Sequence, residues 1–197
     1  MLETSAESLP MKKTTRSPTP PEGFRYQADI LPLSEERDLA ERIRELPLKE
    51  FEFQGYVGRR RILSYGWHYD FGDRTLRPAD EIPAYLLSLR ERAAAFADLA
   101  PGDLPHALVT EYGPGAAIGW HRDKGVFGDV VGISLLAPCT FRFRRQAAAA
   151  WERYSLTAEP RSAYLLRGAA RTDWEHSIPA VEALRYSITF RSLRPKR

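Results

Sequence analysis

His121, Asp123 and His176 are the residue types that hold a ferrous ion: two imidazoles and one carboxylate. Such a set fills one face of the metal and leaves three positions open for a cosubstrate and oxygen. The three lie in Gly119-Trp-His-Arg-Asp123 and Trp174-Glu-His176, and the run Arg185-Tyr-Ser-Ile-Thr-Phe-Arg191 follows them. In a strand this run divides into two faces. Arg185, Ser187, Thr189 and Arg191 share one, and Tyr186, Ile188 and Phe190 share the other. Two guanidiniums and two hydroxyls do not suit an apolar core, where unpaired charge is costly. They suit a cavity that grips a dicarboxylate, because arginine's planar fork binds a carboxylate through two charge-assisted bonds. Taken alone, the run reads equally as an edge strand with its polar face in water. Beside the triad, it points to an oxygenase.

A second His-x-Asp tripeptide, His68-Tyr-Asp70, competes with His121-Arg-Asp123, and His106 competes with His176 for the third place. The later pair is preferred. It follows Thr110-Glu-Tyr112-Gly-Pro-Gly115-Ala-Ala-Ile118, where glycines and Pro114 turn one strand into the next. Several strands separate it from His176, enough to bring both ends together in a double sheet. It also lies just upstream of the arginine run. His68 and Asp70 are assigned to a loop or to a substrate-facing position. A structural zinc site would need cysteines at close spacing, and Cys139 is the one cysteine.

The elements that must position these groups are mostly short strands. After Pro105, alternating apolar runs separated by Gly and Pro cover 106–112, 117–123, 130–136, 140–145, 153–159, 162–167, 173–178 and 184–191. Eight such strands predict a sandwich or jelly roll. Ala147–Ala150 joins two of them without a turn residue. Upstream, Phe24–Ile30 reads as a strand. Ser34 is expected to cap a helix running to about Leu46, with Leu39, Ile43 and Leu46 on one face and Pro47 ending it. A second helix is expected from about Asp80, with Pro83 in its first turn and Leu86, Leu89, Ala93 and Phe96 as its stripe. Phe51–Asp73 mixes glycines, aromatics and the triplet Arg59-Arg60-Arg61, and reads as strands with turns. Residues 1–22, rich in Ser, Thr, Pro and Lys, read as a flexible tail.

The fold expected is mainly β with flanking helices. Residues 23–105 form an N-terminal helical and lid extension, and residues 106–197 form the jelly-roll core. Hydrophobic residues at 43% and charged residues at 28% are ordinary for a globular chain of 197 residues. A net charge of +3 is compatible with nucleic acid without requiring it. The lone cysteine fits a reducing compartment and is expected to be a core residue. No apolar run approaches a membrane span, and no hydrophobic leader is visible. A cytoplasmic monomer is the expectation.

The core pattern resembles the AlkB family of iron(II)- and 2-oxoglutarate-dependent dioxygenases. The matching positions are Thr110-Glu-Tyr112, Gly115, Ile118, His121-Arg-Asp123, His176, Arg185 and Arg191. More loosely, Arg60-Arg61-Ile-Leu-Ser64-Tyr-Gly-Trp67 resembles that family's substrate-covering segment. The resemblance implies Fe(II), 2-oxoglutarate and O2 as the reacting partners. It implies His121, Asp123 and His176 as iron ligands. Arg185 would pair with the distal carboxylate of 2-oxoglutarate, with Tyr112 beside it, and Arg191 would lie near the metal-proximal carboxylate. Thr110, Ser187 and Thr189 would complete the cosubstrate site. Two positions depart from the pattern. Thr110 stands where asparagine is usual, and Lys124-Gly125 stands near where nucleic-acid-acting members carry a base-reading acid.

The substrate this implies is an N-alkylated base in DNA or RNA, flipped out and held against aromatic rings. Tyr65, Trp67 and Tyr69 are the candidates to stack, and Arg59, Arg60, Arg61 and Lys124 the candidates to meet phosphates. Aromatics that merely pack a lid, beside solvated arginines, are the equal alternative. A protein or small-molecule hydroxylase, or a non-catalytic binding module on the same fold, are the other functions weighed.

Overall fold

Strands that alternate in polarity must bury one face each, and this chain does so by stacking two sheets and covering one of them with helices. The computed structural model of the chain describes residues 19–194, except 54, 55, 71, 74 and 149. The tail expected over 1–22 therefore falls largely outside the described residues.

The element order begins β1 (Phe24–Gln27), α1 (Leu33–Arg44), β2 (Lys49–Phe53), β3 (Tyr56–Tyr65), β4 (Trp67–Tyr69), β5 (Leu76–Pro78) and α2 (Ala84–Phe96). It continues with β6 (His106–Tyr112), β7 (Ile118–His121), β8 (Phe127–Leu135), β9 (Cys139–Ala147) and β10 (Ala150–Ala158). It ends with β11 (Ser162–Leu166), α3 (Gly168–Thr172), β12 (Glu175–Ile178) and β13 (Arg185–Leu193). The major sheet runs β1-β11-β8-β13-β6-β3-β2, the minor sheet β10-β9-β12-β7, and β4 pairs with β5. These are the two facing sheets of a jelly roll, with eight strands after Pro105. The segment 23–105 does not stand apart from them, because β1, β2 and β3 lengthen the major sheet at both ends.

Alternation assigns the two cores. Tyr186, Ile188, Phe190, Val109, Ile133 and Leu135 point away from the minor sheet and pack with Leu39, Ile43, Leu86, Leu89 and Ala93 of α1 and α2. Each such leucine, at 3% exposure or less, contributes about 1.5–3 kcal/mol by leaving water. Between the sheets lie Tyr112, Phe141, Phe143, Tyr164, Leu166, Trp174 and Ile178. Gly132 makes room there, since a Cβ on it would fall 2.1 Å from Tyr164.

Several boundaries differ from expectation. Pro32, not Ser34, precedes the first turn of α1, whose last helical residue is Arg44. Its fixed φ and extended ψ end the incoming chain more firmly than a serine already inside the helix. Likewise Pro83 stands just before α2 rather than in its first turn. The chain from Asp80 to Pro83 carries no helix because the residue before a proline is held out of the α region. Leu136 and Ala148 take positive φ values of 72° and 43°. Leu136 therefore ends β8, and Ala148 turns the β9–β10 hairpin with no glycine. α3 occupies part of a stretch read only as strand and loop. Cys139 is buried, as expected.

Candidate metal centre and substrate cavity

β7 and β12 are antiparallel neighbours, and their register puts His176 directly opposite His121. Asp123 lies two residues past His121, beyond the end of β7, and its carboxylate comes back to the same side. Ligand atoms of His121, Asp123 and His176 all lie within 4.8 Å of one another, and the two imidazole centroids are 4.2 Å apart. His121 donates from Nδ1 to the Gly119 carbonyl at 2.9 Å. That bond fixes the tautomer and leaves Nε2 free to bind a metal.

The electrostatics suit a cation. Burial pushes the His176 imidazolium down to about 3, with His121 adding to it. Burial also lowers His121. Both rings are therefore neutral donors, and the 3.6 Å approach of His176 Nε2 to Asp123 Oδ2 is not an ion pair. Burial alone would raise the Asp123 carboxyl, but Arg191, His176 and His121 outweigh it and hold it below the usual range. Neutral imidazoles around an ionised carboxylate are the protonation state that metal binding requires.

The arginine strand faces inward beside this cluster. Arg185, Ser187 and Thr189 are buried, and Arg185 has no exposed surface. Its Nε donates to Ser134 Oγ at 3.1 Å, and its guanidinium lies 4.9 Å from the Tyr112 ring. Nη1 and Nη2 have no hydrogen-bond partner. A fully buried guanidinium with both terminal nitrogens unmatched is a costly arrangement. It is the feature a carboxylate would satisfy, so the residues present fit 2-oxoglutarate. A cavity of about 50 Å³ extends from His121, Asp123 and His176 between Thr110, Tyr112, Ser187, Thr189 and Arg191. Tyr164 also lines it.

A larger cavity of about 340 Å³ opens over His121 and Asp123. That volume is at the lower edge of small-molecule sites. Its rings are Phe51, Tyr69, Trp120 and Phe127, and its cations are Arg60, Arg122, Lys124 and Arg191. His68 and His106 line it too. Asp70 instead turns its own loop by accepting from the Gly72 amide at 2.8 Å.

The structure separates the sequence candidates for this cavity. β3 is one strand, so Arg60, Ile62 and Ser64 face the cavity while Arg61 and Tyr65 face the other way. Arg61 is held by Glu111 through two bonds of 2.7 and 2.8 Å. Tyr65 is buried in the helix-facing core beside Tyr85. Arg59 and Trp67 are absent from the lining. Of the candidate rings Tyr69 alone reaches it, with Lys124 Nζ 5.6 Å from its ring.

Several contributors were not singled out from sequence, among them four with distinct roles. Ser134 positions Arg185, and Tyr164 walls the smaller cavity. Trp120 walls the larger one. Arg171 of α3 donates to the carbonyls of Lys124, Phe127 and Gly128 at 2.6, 2.9 and 3.0 Å, which fixes the loop after Asp123. A tryptophan beside the His-x-Asp was the one visible signal. The other three depend on packing.

With this geometry in place, comparison with known proteins gives a consistent picture. The family model described as the 2OG-Fe(II) oxygenase superfamily matches residues 27–191. A curated protein of Arabidopsis thaliana, described as an alkylated DNA repair protein ALKBH8 homolog, is 30% identical over 147 residues. The match takes in 62% of this chain and 42% of that relative, so the chain spans about two fifths of its length. The solved structure of OsALKBH1 superposes with a TM-score of 0.69 at 16% identity, over 88% of this chain and 100% of that one. A Pseudomonas putida prolyl-4-hydroxylase gives 0.59 at 17% identity, over 88% and 94%. Both share the fold.

Proposed function

The chain belongs to the 2OG-Fe(II) oxygenase superfamily, the dioxygenases that use iron(II), 2-oxoglutarate and oxygen, and on that premise we propose that it oxidatively removes alkyl groups from nucleic-acid bases. The observation that carries the substrate is the lining of the larger cavity. Aromatic walls and four cations surround a space in which Asp123 is the one carboxylate among the described residues. Arg191 neutralises that carboxylate. Such a cavity attracts a base attached to phosphates and disfavours cationic or purely apolar ligands. The name of the Arabidopsis relative points the same way.

In this reading His121, Asp123 and His176 hold the iron, with His121 oriented through Gly119. Arg185 takes the distal carboxylate of 2-oxoglutarate on its unmatched Nη atoms, beside Tyr112, and Thr110, Ser187 and Thr189 line the path. When bound, iron and cosubstrate supply the oxidation, inserting one oxygen atom into an alkyl C–H bond while 2-oxoglutarate becomes succinate and carbon dioxide. The protein positions the partners. Tyr69, Phe51 and Trp120 offer faces to the base, Arg60 and Lys124 offer charge to flanking phosphates, and Arg171 keeps the loop after Asp123 in place. The buried interior excludes bulk water from the reacting face.

The test is formation of succinate and formaldehyde by the iron-loaded protein with an N-methylated single-stranded oligonucleotide. Turnover that depends on the methyl group supports the reading. Turnover on proline-containing peptides, with none on methylated DNA or RNA, replaces it with the protein-hydroxylase alternative.

A further inference from the structure

The outward face of the minor sheet bears tryptophans and arginines, of which Trp120 alone is shared with the larger cavity. Phe141 and Phe143 of β9 point inward, so Arg142 and Arg144 stand on the opposite face. Register sets Glu175 and Ser177 of β12 beside them on one side, and Arg153 and Ser155 of β10 on the other. Trp120 of β7 lies against both guanidiniums, 5.0 Å from Arg142 and 4.5 Å from Arg144. Arg144 also lies 4.7 Å from the ring of Trp151 on β10. Trp120, Arg142, Arg144 and Trp151 thus form a continuous stack across four strands, about 14 Å wide at the usual strand spacing.

This face is cationic, with Trp151 exposed on it and Trp120 half-buried beneath the two guanidiniums. Arg142, Arg144 and Arg153 are opposed there by Glu175, which Arg144 binds at 2.7 Å. Arg142 donates to a neutral hydroxyl, Ser177 Oγ, at 3.1 Å. Arg153 is exposed and makes no ion pair among the described residues. Trp151, 43% exposed, is the one aromatic among the exposed large hydrophobics of the described residues. Trp120 also lines the larger cavity, so the stack begins at the cavity mouth.

An exposed indole beside weakly hydrated guanidiniums binds bases by stacking and phosphates by charge. Stacking of that kind requires bases not already stacked in a duplex. We propose that this face is a track for single-stranded nucleic acid, holding nucleotides that flank the one in the cavity. The proposal rests on the nucleic-acid reading above.

The test compares wild type with Trp151→Ala, Trp151→Phe and Arg153→Gln. Binding of a single-stranded oligonucleotide of about 12 nucleotides, within the usual site size, is measured by anisotropy at several salt concentrations. Trp151→Ala should weaken binding about fivefold or more, and Trp151→Phe should restore most of it. Arg153→Gln should flatten the log-log salt slope by about 0.7. A matched duplex should bind more weakly than the single strand. Uncoupled 2-oxoglutarate turnover should stay unchanged in all three variants. Wild-type binding that Trp151→Ala leaves intact overturns the track alone. Equal competition by polyglutamate overturns it too, in favour of a general acidic-protein surface. Wild type without salt-sensitive oligonucleotide binding overturns both the track and the nucleic-acid reading.

Discussion

Arg191 donates to a single oxygen of Asp123, from Nε at 3.1 Å and from Nη2 at 3.0 Å, both to Oδ1. The other oxygen, Oδ2, is left on the side of His176 Nε2, 3.6 Å away. The arginine thus orients the carboxylate to offer one oxygen to a metal. Outer partners of this kind typically carry 10- to 100-fold in metal affinity. Arg191→Gln is therefore expected to weaken iron binding by about that factor, while Arg191→Lys restores only part because it lacks the fork. An iron titration followed by intrinsic fluorescence checks this. Unchanged affinity would return Arg191 to a role at the cosubstrate alone.

Arg185 carries a different burden. Its buried, unmatched Nη atoms destabilise the ligand-free fold, whereas a bound carboxylate would pair them. Arg185→Met, of similar length and uncharged, should leave the ligand-free protein as stable as wild type or more so. The same variant should bind 2-oxoglutarate about 10- to 100-fold more weakly, from roughly 1.5–3 kcal/mol for a charged hydrogen bond. Thermal melts with and without 2-oxoglutarate read both effects. A variant still stabilised by the cosubstrate as strongly as wild type removes Arg185 from that site.

Residues whose placement follows from strand periodicity were legible in the sequence. Arg185, Ser187, Thr189 and Arg191 obey a two-residue repeat, which β13 keeps from 185 to 191. The position of His176 needed the fold as well, because only β7–β12 pairing sets it opposite His121. Tyr65 and Arg61 point away from the larger cavity, and the register of β3 that decides this cannot be read from Arg59-Arg60-Arg61. One residue of phase decides which arginine faces the cavity. Ser134, Tyr164 and Arg171 carry no local signal. Their partners, Arg185, Gly132 and the loop 124–128, lie more than 30 residues away in sequence.

That phase gives a sharp contrast within the triplet. Arg60 lines the cavity, while Arg61 is engaged by Glu111. Arg60→Gln should reduce the log-log salt slope of oligonucleotide binding by about 0.7–0.9, the share of one phosphate. Arg61→Gln should leave the slope in place and lower stability, since Glu111 loses its partner. Trp67→Ala should leave demethylation intact, whereas Tyr69→Ala should lower it. A slope left unchanged by Arg60→Gln would mean that Arg60 contacts no phosphate.

His106 makes stability depend on acid. Its ring packs 4.8 Å from Phe127, and its Nδ1 is buried without a partner. Burial pushes its imidazolium down to about 2 from the ordinary 6.5, with Arg191 and His68 adding to the effect and Asp123 opposing it. The folded protein therefore keeps His106 neutral at pH values where the unfolded chain takes up a proton. A group with this shift costs nothing above pH 6.5. It lowers stability by about 1.4 kcal/mol per pH unit as pH falls below that value. Between pH 7.5 and pH 5 the loss from His106 amounts to about 2 kcal/mol. His106→Phe, which keeps the ring against Phe127, should remove that share and flatten the acid limb. Urea unfolding of the iron-free protein at the two pH values provides the measurement. An equal loss in wild type and variant would show that His106 is protonated alike in the folded and unfolded chain.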